Sequence, residues 1–368
     1  MTTPLEYAET HKERFRQELH DLLQIPSVST DPAFADKVRK AANWLIDHFK
    51  NIGLTTELIE YDGLHPIVYA EWMGAGDSAK TALIYGHYDV QPAVIEDGWN
   101  TVPFDPTEKD GYIYARGATD DKGQVFVHIK AIESLLKTSE KLPVNIKFII
   151  EGEEESGGAA INKFVAESGA KLAADVCIVS DTSMDDIEQP VIINALRGGT
   201  GFELVVTGPR QDLHSGMYGG TVHNPAQALA ELIAQMHNDD GSVAIDGFYD
   251  DVRELTGDER KQIAASEWDN VDWAEATGAS VPWGEDAFSL RERVGARPTL
   301  EITGMASGYF GDGSSRLSHK RHGRKSVVAS LLTRIPTISL INSVPSWIRL
   351  PHRQFKLNSP IKKGLRLF

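Results

Sequence analysis

Cysteine is all but absent from this chain of 368 residues: the single one, Cys177, cannot form a disulfide within the chain. It lies in an apolar run, where it reads as a buried, inert thiol with no role. Long apolar runs are missing too. No stretch approaches the roughly 18 residues that a transmembrane helix needs, and Met1 to Gln17 is polar with no signal-peptide core, so a cytoplasmic protein is predicted. Positive charge is short, with 37 Lys and Arg against 53 Asp and Glu and a formal net charge of −16. A molecule of that sign repels nucleic acid and anionic membrane, and neither is predicted as a partner. Internal repeats and low-complexity tracts are not seen. One absence is local: Ser315–Phe368 hold 12 Lys or Arg and no Asp or Glu, whereas residues 1–314 carry the other 25 basic residues and all 53 acidic ones.

With 41% hydrophobic residues the chain is long enough for two domains with their own cores. Phe15, Leu19, Leu22 and Leu23 recur at helical spacing, as do Val38, Ala41, Ala42, Leu45 and Phe49. Strand-like runs follow at Pro66–Trp72, Thr81–Tyr85, Val144–Ile150 and Val176–Ser180, with helices over Gln124–Leu136 and Ala159–Glu167. Such alternation predicts an α/β domain with a largely parallel sheet, whose ligands sit beyond the carboxyl ends of the strands. The texture changes near Pro190. Strands are predicted at Val191–Ala195 and Gly201–Thr207 and a helix from Asn224 to Met236, opening a second domain.

Chemistry concentrates at the predicted strand ends. Glu151-Gly152-Glu153-Glu154-Glu155-Ser156-Gly157-Gly158 crowds carboxylates that repel one another unless cations neutralise them. Gly86-His87-Tyr88-Asp89 and Thr119-Asp120-Asp121-Lys122-Gly123 offer co-ligands, and Asp181 follows a fourth strand. Each station alone has a plainer explanation. A histidine after a strand is commonly structural, Asp120-Asp121 and Asp181 suit helix caps, and the glutamates suit an exposed loop. Their shared position at strand ends of one domain favours a metal site, in which a carboxylate bridges two divalent ions.

Leu83-Ile84-Tyr85-Gly86-His87-Tyr88-Asp89-Val90-Gln91-Pro92, Arg116-Gly117-Ala118-Thr119-Asp120-Asp121-Lys122-Gly123 and Glu151 to Gly157 resemble the signatures of the carnosinase-like metallopeptidases, a family that includes cytosolic dipeptidases, aminoacylases and desuccinylases. The resemblance runs over residues 10–313. It implies a catalytic domain with a mostly parallel central sheet and helices on both faces, plus an inserted α+β dimerisation or lid domain, with bounds at 1–189 and 190–314. It implies two divalent ions, zinc first with manganese or cobalt as substitutes. His87, Asp120 and Asp181 would bind one and Asp120 and Glu155 the other, with Asp120 bridging, Glu154 as general base and Asp89 orienting His87. His214, in Leu213-His214-Ser215-Gly216, resembles the histidine that stabilises the oxyanion across a dimer interface; by itself it reads equally well as a surface residue. A homodimer acting on dipeptides or small peptides is implied. The alternatives are an amidohydrolase of N-acyl amino acids and a non-catalytic metal-binding fragment.

The resemblance ends near Gly313, where the charge composition flips. A Gly-Gly-Ser substrate loop and a final metal-binding histidine, which the family carries later in its chain, do not follow, so the last part of the catalytic domain is predicted to be missing and activity impaired. Codons permitted by Gly323–Leu340, read one nucleotide out of register with third bases free, spell AKVSCRLVADQNPDDIF, similar to the strand and acidic turn of the family at this place. Residues 315–368 are therefore predicted to be an aberrant basic tail left by a single-nucleotide loss near Ser314 or Ser315. Val327, Val328, Leu331, Leu332, Ile335 and Ile338 make it too apolar for a solvated nucleic-acid arm.

Overall fold

A computed structural model describes residues 2–139, 141–184, 191–193, 196–211, 213–266 and 270–307, together with the backbone of 326–335 and 356–358. The chain divides into two compact units, Met1–Ile192 and Ile193–Phe368.

In the first unit the helices α1 (Pro4–Thr10), α2 (Lys12–Leu23) and α3 (Ala35–Ile52) precede the strands β1 (Thr55–Ile59), β2 (Ile67–Trp72) and β3 (Thr81–His87). A short hairpin of β4 (Thr107–Lys109) and β5 (Tyr112–Tyr114) leads to α4 (Lys122–Thr138), β6 (Asn145–Glu151), α5 (Ala159–Ser168) and β7 (Val176–Val179). The central sheet has the order β1-β2-β6-β3-β7. β6, β3 and β7 pair in parallel and β2 is antiparallel to both its neighbours, so four of the five strands share one direction.

The apolar pattern explains the layers. β6 is buried along its whole length, so alternate side chains enter opposite cores. Ile146, Phe148 and Ile150 join Leu22, Leu45, Phe49 and Ile129 from α2, α3 and α4. Ile149 joins Ile67, Tyr69, Leu83 and, from α5, Ala160 and Phe164. Helices thus cover both faces. Truncating Phe148, which packs on Phe49 at 4.8 Å, to alanine would cost about 3–5 kcal/mol.

The second unit contains β8 (Gly198–Thr207), α6 (Ser215–Tyr218), α7 (Pro225–Ala234), α8 (Gly257–Ala265), α9 (Asn270–Thr277), α10 (Leu290–Gly295), β9 (Thr299–Ala306), β10 (Ser326–Ile335) and β11 (Lys356–Asn358). Its sheet is antiparallel, in the order β11-β8-β10-β9. Leu204, Val206, Ala228, Leu229, Leu232 and Leu300 form the core between β8, β9 and α7. Asn224 caps α7 by accepting the Ala226 N–H, as the sequence pattern requires. The backbone of β10 falls within the segment predicted to be aberrant, yet it pairs with both β8 and β9; the rest of 315–368 lies outside the described residues except β11.

Two expectations fail. Cys177 is exposed, because β7 is the outer strand of its sheet among the described residues and all four of its residues are exposed. An apolar run marks a strand but not its place in the sheet order. Residues 191–193 are not in a strand, and Ile192 is 94% exposed. Nothing among the described residues pairs with them; Asn194 and Ala195, the rest of that predicted strand, lie outside the described residues. The sequence reading also names no element at α1, β1, β4, β5, α6, α8, α9, α10 or β9.

Candidate metal centre

His87 is the last residue of β3 and is 1% exposed. The close approach of β3 to the start of α4 depends on Gly86: a Cβ there would overlap Val125 Cγ2 and Asp121 Oδ2. That space lets the Asp121 carboxylate accept the His87 backbone N–H at 3.1 Å. Asp120 then lies on the rim, joined to Asp121 by a cis peptide, with its Oδ1 3.0 Å from His87 Nε2. Asp181 follows β7, with its Oδ2 3.8 Å from the same nitrogen. Ligand atoms of His87, Asp120 and Asp181 all fall within 4.8 Å of one another.

The imidazole suits a cation. Its Nδ1 lies 3.0 Å from the Asp89 backbone carbonyl, to which only an N–H can donate, so in the neutral ring the Nε2 lone pair is free. Nε2 is buried and has no hydrogen-bond partner although two carboxylates face it. Burial works against a charge on His87, but the Asp120 and Asp89 carboxylates outweigh it and hold the group at about 11. Burial pushes Asp121 up to about 7 and raises Asp181 and Glu155 as well, whereas the neighbouring His87 lowers Asp120. The site therefore has an excess of negative charge that favours a proton on Nε2, and a divalent ion replacing that proton would neutralise the carboxylates. The residues present fit such an ion.

Glu154 and Glu155 sit in a short 3-10 turn directly after β6. The backbone N–H groups of both donate to Asp89, at 3.2 and 3.0 Å, and Ser29 Oγ donates to the same carboxylate at 2.6 Å. Asp89 is fully buried, and its Oδ1 is also 3.4 Å from His87 Nδ1. It thus holds the glutamate turn as well as the histidine. The Glu155 carboxylate accepts from Gln91 Nε2 at 2.6 Å and does not belong to the three-residue cluster.

The acidic run divides into different environments. Glu151 is buried and accepts from Tyr85 Oη at 2.7 Å, and burial raises it to about 7. Glu153 accepts the backbone N–H groups of His65 and, in the first turn of α5, Ala160, each at 2.8 Å. Backbone donors therefore satisfy Glu153, and repulsion between adjacent carboxylates is a weaker argument for a metal than the sequence suggested. The sequence reading gives no role to Tyr85, Gln91 and Glu151, although they lie inside its motifs, and it misses Ser29, which no local pattern links to the site.

In the second unit the exposed His214 caps the four-residue α6, its Nδ1 accepting the Gly216 N–H at 3.0 Å. That bond puts the proton of the neutral ring on Nε2. A second group able to hold a metal, Glu18, His48 and Glu133, already surrounds the ammonium of Lys130, which is 2.8 Å from Glu133 and 2.5 Å from His48 and also bonds Glu18.

An α/β unit with helices on both faces of its sheet and a carboxylate and imidazole cluster at the ends of β3 and β7 is of a metallohydrolase type. Residues 83–339 match Peptidase family M20/M25/M40, and the chain belongs to that family. The match extends past the Gly313 at which the motif resemblance ends. The chain is 35% identical over 321 residues to the Cys-Gly metallodipeptidase dug1 of Schizosaccharomyces pombe, covering 84% of this chain and 67% of that protein. It is 30% identical over 318 residues to human Beta-Ala-His dipeptidase, covering 83% and 62%. These matches span only about two thirds of the length of those relatives. Among solved structures, human carnosine dipeptidase 1 superposes with a TM-score of 0.80 at 27% identity, over 98% of this chain and 79% of that one. The M20 family metallo-carboxypeptidase Sso-CP2 from Sulfolobus solfataricus gives 0.75 at 34% identity, over 90% and 72%. Among the described residues no helix is long and apolar enough to cross a membrane.

Proposed function

We propose that the chain derives from a metal-dependent dipeptidase, and that His87, Asp120 and Asp181 hold one divalent ion while Asp120 and Glu155 contribute to a second. The observation that carries this reading is the buried Nε2 of His87, faced by the Asp120 and Asp181 carboxylates at 3.0 and 3.8 Å. Family membership and the names of the relatives, which act on Cys-Gly and β-Ala-His, support a small peptide as substrate. Zinc is the ion of choice for such a mixed nitrogen and oxygen set, and manganese or cobalt would substitute.

When bound, the metal supplies a Lewis acid that acidifies water and polarises the scissile carbonyl. Glu154 would act as general base, accepting a proton from the attacking water on its carboxylate and returning it to the leaving amine nitrogen. The Asp89 backbone carbonyl takes the Nδ1 side of His87 and leaves Nε2 to face a metal, while the Asp89 carboxylate fixes the turn from which Glu154 projects. His214, with its proton on Nε2, donates to the oxyanion of a substrate in the partner subunit of a homodimer.

Residues 315–368 are, in this reading, the product of a shifted frame, which leaves the present chain with metal binding but little turnover. The test is an assay of Cys-Gly, β-Ala-His and an N-acetyl amino acid with and without added zinc or manganese, on this chain and on one completed in the shifted frame. Metal-dependent cleavage of the dipeptides by the completed chain is expected. Faster release of the acyl group would make the enzyme a deacylase, and absence of metal binding by either chain would overturn the site.

A further inference from the structure

Of the three clustered ligands Asp181 has the weakest scaffold. His87 is fixed by burial and Asp120 adjoins the first turn of α4, but Asp181 follows β7, a four-residue outer strand with every residue exposed. Among the described residues β7 pairs only with β3. Packing alone gives its end little reason to hold one position.

Two side chains of α4 reach that end. Gln124 and His128, four residues apart, project from the same face of the helix. Gln124 Nε2 donates to the carbonyl of Thr119 at 2.5 Å and lies 3.5 Å from the carbonyl of Thr182, while His128 Nε2 is 2.6 Å from Ser180 Oγ. The residue before Asp120 and the residues on both sides of Asp181 are therefore tied to one helix. Gln124 Oε1 is buried without a partner, so the amide has only these carbonyls to orient it. The helix is itself immobilised by Val125, Phe126 and Ile129, all buried in the core.

We propose that Gln124 and His128 are positioning residues that set the separation of the Asp120 and Asp181 carboxylates, and with it the affinity of the first metal position. The proposal rests on the reading that His87, Asp120 and Asp181 hold a divalent ion. A loop left free to wander must be ordered when the ion binds, and that entropy is subtracted from the binding free energy. Supports behind the ligands of a metal site set affinity by about ten- to a hundredfold.

The experiment is titration of the metal-free chain with cobalt(II), followed by its visible absorption, for the original chain and for Gln124→Met, His128→Leu and His128→Gln. Methionine keeps the length of Gln124 without its donor, and glutamine at 128 places a polar group near the Nε2 position. Gln124→Met and His128→Leu are expected to weaken cobalt binding about ten- to a hundredfold, and His128→Gln to restore most of it, with unchanged thermal unfolding of the metal-free Gln124→Met chain. Should His128→Leu fail to fold, Gln124→Met and His128→Gln decide. Equal cobalt affinity in Gln124→Met and the original chain overturns the proposal alone. An original chain that binds no cobalt overturns the metal reading and this proposal with it.

Discussion

The carboxylate of Asp89 accepts the backbone N–H of Glu155, 66 residues further along the chain, at 3.0 Å. The same side chain takes the Glu154 N–H and lies against His87 Nδ1, so one buried carboxylate ties together the ends of β3 and β6. Asparagine cannot accept both amides, since its NH2 group would face a second N–H. Asp89→Asn should lower the unfolding free energy of the metal-free chain by about 1–3 kcal/mol. It should also weaken metal binding about ten- to a hundredfold. Urea unfolding and a metal titration measure the two effects; unaltered metal affinity would leave Asp89 a purely structural residue.

Glu154→Gln preserves size and hydrogen bonding but cannot take a proton. In the chain completed in the shifted frame, dipeptide turnover should fall by at least about a hundredfold with metal content unchanged. An unaltered rate would remove Glu154 from the mechanism.

The three-ligand cluster is complete and Glu155 stands outside it. Metal analysis of the purified chain should therefore find about one tightly held divalent ion per chain and a second held weakly, as the usual three protein ligands of a catalytic zinc site require. Glu155→Gln should reduce the second without affecting the first, because a neutral amide is a poorer ligand for a hard cation. Two ions of equal affinity would contradict the assignment.

His48 gives a pH dependence of stability away from the metal. Burial, and then the charge of Lys130, lower it from 6.5 to about 4 in the folded chain, while Glu18 and Glu133 act the other way. The unfolded chain therefore binds the extra proton first, and stability is lost as pH falls from about 6.5 towards 4. Between pH 7 and pH 5 the loss should be about 2 kcal/mol for this one buried group. His48→Gln, which cannot be protonated, should flatten that slope in urea unfolding of the metal-free chain. An equally steep slope in the variant would assign the effect elsewhere.

Sequencing the locus tests the origin of residues 315–368. An open frame one nucleotide out of register, encoding a Gly-Gly-Ser loop and a later histidine, is expected to continue past the codon of Phe368. A locus without such coding would make the basic segment a native part of the protein.

The stations of the site were legible because each stands where an apolar run gives way to polar residues, at the end of β3, β6 or β7 or just ahead of α4. The environments of the glutamates were not legible. Glu153 and Glu155 are identical in type and two apart, yet one turns to the first turn of α5 and the other to Gln91. The difference arises from contacts far apart in the chain, and no spacing rule reports them. Cys177 shows the converse: its apolar neighbours announce a strand, but exposure depends on β7 being outermost.

By itself the sequence determined the larger elements of the first unit and the candidate ligands, because hydrophobic periodicity, glycine positions and the run of acids are local properties of the chain. The tertiary structure decided which ligands meet, since only the parallel pairing of β6, β3 and β7 places His87 and Asp181 within 3.8 Å. It also decided what supports them. Buried polar groups must find partners wherever the fold offers them, and for Asp89 those partners are Ser29, Glu154 and Glu155, which share no local pattern.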